Sequence, residues 1–142
     1  MKTRLKLVEI VGKYTGAPYM LGGFSRDEGY DCFSLVLAFA EDLGVKVPNS
    51  FSGQTMETYS ELWVEDPKEA KRIMLELFGE LGKEIAPHKA FASDVLILES
   101  KEGDNVGIHA GGSLVLSAFI DIGIQLVNVH NFKVTKAYRW EV

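Results

Sequence analysis

The chain carries one cysteine, Cys32, and three histidines, His88, His109 and His130. A thiol becomes a nucleophile when a neighbouring base takes its proton or when its surroundings stabilise the thiolate. Cys32 follows Asp31 and opens a nearly unbroken apolar run, Phe33-Ser34-Leu35-Val36-Leu37-Ala38-Phe39-Ala40. Asp31 suits a helix N-cap, because its carboxylate can accept from the free N–H groups of the first turn. Cys32 would then lie in that turn, where exposed amides and the positive end of the helix dipole favour a thiolate. The same placement also fits an inert core cysteine, a common use of a small apolar thiol.

The other candidate groups are weaker. His88 follows Pro87 in a loop and reads as solvated. His130, in Asn128-Val129-His130-Asn131, reads as a polar residue at a strand end. The histidines are far apart in sequence and Cys32 has no cysteine partner at ligand spacing, so neither a metal nor another cofactor is expected. The Gly22-Gly23 pair is too short a signal for a phosphate loop.

The elements that must position Cys32 are legible in the periodicity. Leu7, Val8, Val11 and Tyr14 fall at helical spacing, predicting a short amphipathic helix over 3–14 that ends at Gly16-Ala17-Pro18. Gly22-Gly23 predicts a backbone that turns sharply or runs close to something. The cysteine helix ends at Glu41-Asp42-Leu43-Gly44, with Gly44 just past its C-terminus. Residues 55–63 read as one or two helical turns. Asp66 and Pro67 suit the N-cap and first position of a further helix. Its apolar stripe is Ala70, Ile73, Met74, Leu77, Phe78 and Leu81, and its charged residues form a solvated face. From Ser93 the pattern changes to strands over 95–99, 105–110, 113–119, 124–129 and 133–140, separated first by Lys101-Glu102-Gly103-Asp104 and then by Gly111-Gly112. Helices followed by a five-stranded antiparallel meander make an α+β plan.

Composition bounds the function. A chain of 142 residues, 46% hydrophobic and 25% charged, fits one globular domain spanning 1–142. A net charge of -5 with scattered basic residues argues against a nucleic-acid surface. No apolar run is long enough to span a bilayer, so no membrane partner is expected. One cysteine cannot form an internal disulfide. Residues 1–9 lack the apolar core of a signal peptide, which predicts a cytoplasmic location.

Taken together, Ala17-Pro18-Tyr19-Met20-Leu21-Gly22-Gly23 and Tyr30-Asp31-Cys32-Phe33-Ser34-Leu35-Val36 resemble the opening of the NlpC-type cell-wall cysteine peptidases. Ala92-Ser93-Asp94-Val95-Leu96-Ile97-Leu98, Asn105-Val106-Gly107-Ile108-His109-Ala110-Gly111 and Val115-Leu116-Ser117-Ala118 resemble that family's following strands. The bulky Phe33 and the helix end Leu43-Gly44-Val45-Lys46-Val47-Pro48 are similar to the branch encoded by tailed phages. The resemblance implies a small papain-like fold, with the nucleophilic Cys at a helix N-terminus packed on a sheet that carries the base. It also implies action on a peptidoglycan stem peptide or another peptide, and for the phage branch a partnership with phage tail proteins and association with the virion.

Two positions depart from the family. The strand that should open with the catalytic His opens with Asn105, and the residue that should orient that imidazole is Ser117. A three-residue loop centred on Gly111 would put Asn105 directly opposite Ser117. Asn cannot take a proton from a thiol, and Ser does so only when itself activated. His109 shares a strand face with Asn105 but lies roughly 13 Å further along. A hydrogen bond needs about 3 Å, so only a different register would bring His109 to Cys32.

Three readings follow. In the first, the chain is a cysteine peptidase or amidase with Cys32 as nucleophile. His109, or in its place His130, is then the base, backbone N–H groups near Cys32 hold the oxyanion, Asp31 orients the helix end and Tyr19 touches substrate. In the second, it is a degenerate module of the same fold with a binding or assembly role. In the third, it is an acyl-transferring relative that forms a thioester at Cys32.

Overall fold

The computed structural model describes residues 2–100 and 103–141. Its helices are α1 (Lys2–Tyr14), α2 (Cys32–Asp42), α3 (Met56–Glu65) and α4 (Pro67–Leu81). A two-stranded ribbon, β1 (Phe24–Ser25) and β2 (Gly29–Tyr30), lies between α1 and α2. The main sheet is built from β3 (Gly82–Ile85), β4 (Val95–Ser100), β5 (Gly103–Gly111), β6 (Leu114–Phe119), β7 (Gly123–Asn128) and β8 (Lys133–Trp140).

Helix α2 is fixed at both ends by its sequence. Asp31 Oδ1 accepts from the Ser34 N–H at 2.7 Å, and Ser34 Oγ accepts from the Asp31 N–H at 3.0 Å, which completes a capping box. Every residue from Phe33 to Ala40 is buried. Leu43 is the C-cap, and Gly44 follows with φ of 94°, a left-handed stop that glycine adopts without a Cβ penalty. Helix α4 starts as expected on Asp66 and Pro67 and buries Ala70, Ile73, Met74, Leu77 and Phe78. Helix α3 is longer than one or two turns, and the N-cap Thr55 with Thr58 in its first turn forms a second capping box.

The sheet departs from the expected five-stranded meander. Among the described residues it has six strands in the order β3-β8-β4-β5-β6-β7. Strands β4 to β7 do form a meander. The chain then returns to the other side, and β8 inserts between β4 and the additional edge strand β3. Gly82 permits that edge, since its Cα faces the Arg139 carbonyl and leaves no room for a side chain. Alternation along the strands makes two apolar faces. Val95, Ile97, Val106, Ile108, Leu116 and Ala118 join the large core beneath α2 and α4. Leu96, Leu98, Val115 and Ala137 form a second cluster on the opposite face.

The register between β5 and β6 also differs. Gly107 pairs with Ser117, Ile108 with Leu116 and His109 with Val115, and the register shifts before Gly111 pairs with Leu114. The connection is thus a tight turn at Gly112-Ser113 flanked by a bulge, rather than a symmetric loop on Gly111. Gly111 and Gly112 have φ of 100° and 57°, which turns their backbones through conformations that side-chain-bearing residues rarely adopt.

Candidate functional site

Cys32 is the first residue of α2 and is half-buried. Asp31 beside it is buried, and its carboxylate is fully engaged. Oδ1 caps the helix, while Oδ2 accepts the Gly22 N–H at 2.7 Å. This explains the glycine pair. Gly22 has φ of 74°, and a Cβ there would lie 2.5 Å from Ser60 Oγ, so only glycine brings that amide to Asp31.

Opposing influences act on the Cys32 thiol. Burial pushes it up from 9.0 to about 12, and the Asp31 carboxylate adds to that; the N–H groups of Val106, Phe33 and Cys32 pull the other way without prevailing. The amides do favour the charged form, but desolvation and an adjacent anion outweigh them.

Cys32 opens onto a cleft of about 370 Å³ that Tyr19, Trp63, Asn105, Phe119 and Phe132 also line. Phe119 and Phe132 stack with ring centroids 6.1 Å apart and planes at 20°. The Tyr19 phenol is pushed up to about 12, first by burial and then by Cys32 and Asp31; it therefore stays protonated and can donate a hydrogen bond at neutral pH. A much smaller recess, between Tyr19, Asp31, Cys32, Phe33, Tyr59 and Trp63, holds about 10 Å³.

Asn105 reaches the cleft as expected, but Ser117 does not stand directly opposite it. With Gly107 in that place, Ser117 is a diagonal neighbour. The two side chains still meet. Ser117 Oγ lies 3.1 Å from Asn105 Oδ1 and 2.7 Å from the Val106 carbonyl oxygen. Asn105 Oδ1 also accepts the Val106 N–H at 2.9 Å, and Asn105 Nδ2 donates to the Ala118 carbonyl at 3.3 Å. The carboxamide is held at both ends, so it cannot turn freely toward the sulfur.

The structure does not bring the histidines to this cleft. His109 sits near the far end of β5, where its Nδ1 accepts the Gly111 N–H at 3.0 Å. Burial lowers its pKa, opposed by the Asp94 carboxylate, with no contribution from Cys32. The altered register leaves it on the same strand face as Asn105, two full strand periods away. His130 is exposed in a short turn (Val129–Asn131) and His88 in another (Pro87–Lys89). Among the described residues no group of three His, Cys, Asp or Glu could hold a metal ion.

Sequence reasoning missed the aromatic walls. Trp63 carries the only available signal, a large aromatic residue amid the acidic residues Glu61 and Glu65 of a short amphipathic helix. Phe119 and Phe132 meet only because β6 and the turn before β8 converge, and no spacing rule shows that.

Comparison with known proteins agrees with this architecture. The model of the NlpC/P60 family matches residues 16–141. The gamma-DL-glutamyl hydrolase of Bacillus subtilis (strain 168) is 28% identical over 116 residues, covering 79% of this chain and 22% of that protein. The chain thus spans under a quarter of the length of this relative. Among solved structures, the NlpC/p60 domain of the peptidoglycan hydrolase SagA superposes with a TM-score of 0.63 at 22% identity, covering 96% of this chain and 97% of that one. RipD from Mycobacterium tuberculosis, described as a non-catalytic NlpC/p60 domain protein adapted to peptidoglycan binding, superposes with a TM-score of 0.57 at 15% identity, covering 96% and 95%.

Proposed function

The chain belongs to the NlpC/P60 family, and we propose that it is a non-hydrolysing member that holds a peptidoglycan-type peptide in the cleft beside Cys32. One observation carries the reading: at the position where the family resemblance puts the base stands Asn105, its carboxamide tied to Val106, Ser117 and Ala118. Thiol attack on an amide needs a group that removes the thiol proton. A carboxamide has no useful basicity, and its acceptor oxygen is already occupied. A thiol that ionises only near pH 12 leaves almost no thiolate at neutral pH.

The parts that bind rather than cleave remain in place. Asp31 takes the Ser34 N–H, which leaves the Cys32 and Phe33 N–H groups beside the sulfur to receive a ligand carbonyl. Tyr19 can donate from its phenol, and Trp63 and Phe132 offer faces on which apolar ligand groups can lie. The description of RipD as non-catalytic supports the idea that the fold can serve binding alone. The name of the Bacillus subtilis relative supports a γ-glutamyl peptide as the ligand class.

The test is to mix the protein with purified peptidoglycan sacculi and, separately, with a soluble γ-D-glutamyl stem peptide. Retention on sacculi is expected for both the parent chain and Cys32→Ala, with weaker retention for Trp63→Ala and no new peptide fragments by mass spectrometry. Turnover that disappears in Cys32→Ala would overturn the proposal and establish the peptidase reading. The likeness of residues 30–48 to the phage-encoded branch supports a second reading, an assembly role among tail proteins. Loss of tail particles on deletion, without loss of wall binding by the purified chain, is its expected signature.

A further inference from the structure

A second groove lies outside the Cys32 cleft, between the Leu21–Phe24 segment and α3. It encloses about 660 Å³. Leu21, Phe24 and Val64 line its apolar part and are exposed by 41%, 41% and 67%. Its other side is acidic: Glu57, Glu61 and Glu65 recur every four residues along one face of α3.

The helix itself accounts for Glu57, whose carboxylate in the first turn complements the positive end of the dipole, but not for Glu61 and Glu65. Like charges four residues apart on a helix destabilise it, and a glutamate in the last turn opposes the negative end of the dipole. Helix α3 contains no basic residue to offset them. Among the described residues none of these three carboxylates takes part in an ion pair. Helix α4 shows the opposite arrangement, with Arg72 bridging Glu69 and Glu76 on its solvated face. Three unpaired carboxylates beside exposed apolar side chains form a surface whose complement is cationic and apolar together.

We propose that this groove docks a basic amphipathic protein segment, with Lys or Arg side chains on Glu57, Glu61 and Glu65 and apolar side chains on Leu21, Phe24 and Val64. Such a partner would relieve the repulsion along α3 and cover apolar surface at the same time. It would lie beside the cleft without entering it. Ser60 borders both this groove and the small recess at Cys32, and the Gly22 amide at the groove's edge holds Asp31. The proposal does not depend on whether the cleft cleaves or only binds.

The probe is a fluorescein-labelled amphipathic Lys/Leu peptide, with a Glu/Leu peptide of the same pattern as its counterpart. Binding is read by anisotropy at low and high salt and located by backbone amide shifts. The expected result is binding of the Lys/Leu peptide only, with shifts at residues 20–24 and along α3. Combining Glu57→Gln, Glu61→Gln and Glu65→Gln should weaken binding by about tenfold. The charge-matched set Glu9→Gln, Glu41→Gln and Glu80→Gln should leave it unchanged. Val64→Ser, which keeps all three carboxylates, should weaken it as well. Equal weakening by both glutamine sets would show diffuse charge attraction and overturn the proposal. So would shifts confined to the Cys32 cleft, absence of binding, or concentration-dependent dimerisation through this groove in place of peptide binding.

Discussion

The state of the Cys32 thiol decides between an armed and a resting site, and its alkylation rate against pH reads that state directly. An ordinary thiol in this setting would ionise at 9.0, whereas burial and Asp31 push Cys32 up to about 12. Each pH unit changes the thiolate fraction tenfold below the pKa, so at pH 8 the folded protein should hold roughly a thousandfold less thiolate than the unfolded chain. Only the thiolate reacts with iodoacetamide at a useful rate. Stopped-time alkylation followed by intact-mass analysis should therefore give a folded rate about three orders of magnitude below the rate in denaturant. The logarithm of the folded rate should rise linearly with pH and reach no plateau below about pH 11. The denatured sample should level off near the ordinary thiol value. A folded-state plateau at or below neutral pH would refute the reasoning, because it would require a cation or a base at the sulfur. His109→Ala would then be the first variant to make.

The same shift predicts a pH dependence of stability. The folded-state value is raised, so the stabilisation from keeping the thiol neutral is complete below 9 and is lost as pH rises from 9 toward about 12. At pH 10.5 the parent chain should have lost about 2 kcal/mol more than Cys32→Ala, measured by urea unfolding. Phe78→Ala removes a fully buried ring that packs against Phe33, Tyr138 and Trp140; a loss of about 3–5 kcal/mol is expected by the same method. Gly107→Ala would put a Cβ 2.6 Å from Val115 Cγ2 and 3.0 Å from the Leu116 carbonyl oxygen. The β-branched Val115 side chain has few rotamers to escape into and the Leu116 carbonyl closes the other side, so about 1–3 kcal/mol should be lost, with the largest amide shifts along β5 and β6.

The helical part of the fold was legible because its signals are local. Asp31 and Asp66 cap helices, Gly44 ends one, and the apolar stripe of α4 needs only its own spacing. Strand β3 was not legible. Its four residues, Gly82–Ile85, follow α4 directly and carry no alternation of their own. They become a strand because β8 offers them a partner, and a partner distant in sequence leaves no mark on a short polar segment. The thiol shows the same division between local and distant influences. The cap and the dipole are properties of the helix start, but burial is a property of the finished core, and burial prevailed.

The β5–β6 register shows why the candidate site survived an error in the sequence reading. The expected pairing set Asn105 opposite Ser117, whereas the structure sets Gly107 there. That slip is two residues, one full period of a strand. A slip of one would have sent Ser117 to the opposite face and broken the constellation. A slip of two keeps both side chains on one face and turns a direct cross-strand pair into a diagonal one, still within reach of short side chains that lean together. Ser117 Oγ accordingly meets Asn105 Oδ1 at 3.1 Å. The face was fixed by alternation against the buried Val106, Ile108, Leu116 and Ala118, which is readable from sequence. The position along the strand was fixed by the bulge and the positive φ angles of Gly111 and Gly112, which depend on the turn that forms. Which residues can meet was therefore set by the core pattern, and how closely they meet was set by two glycines at the hairpin end.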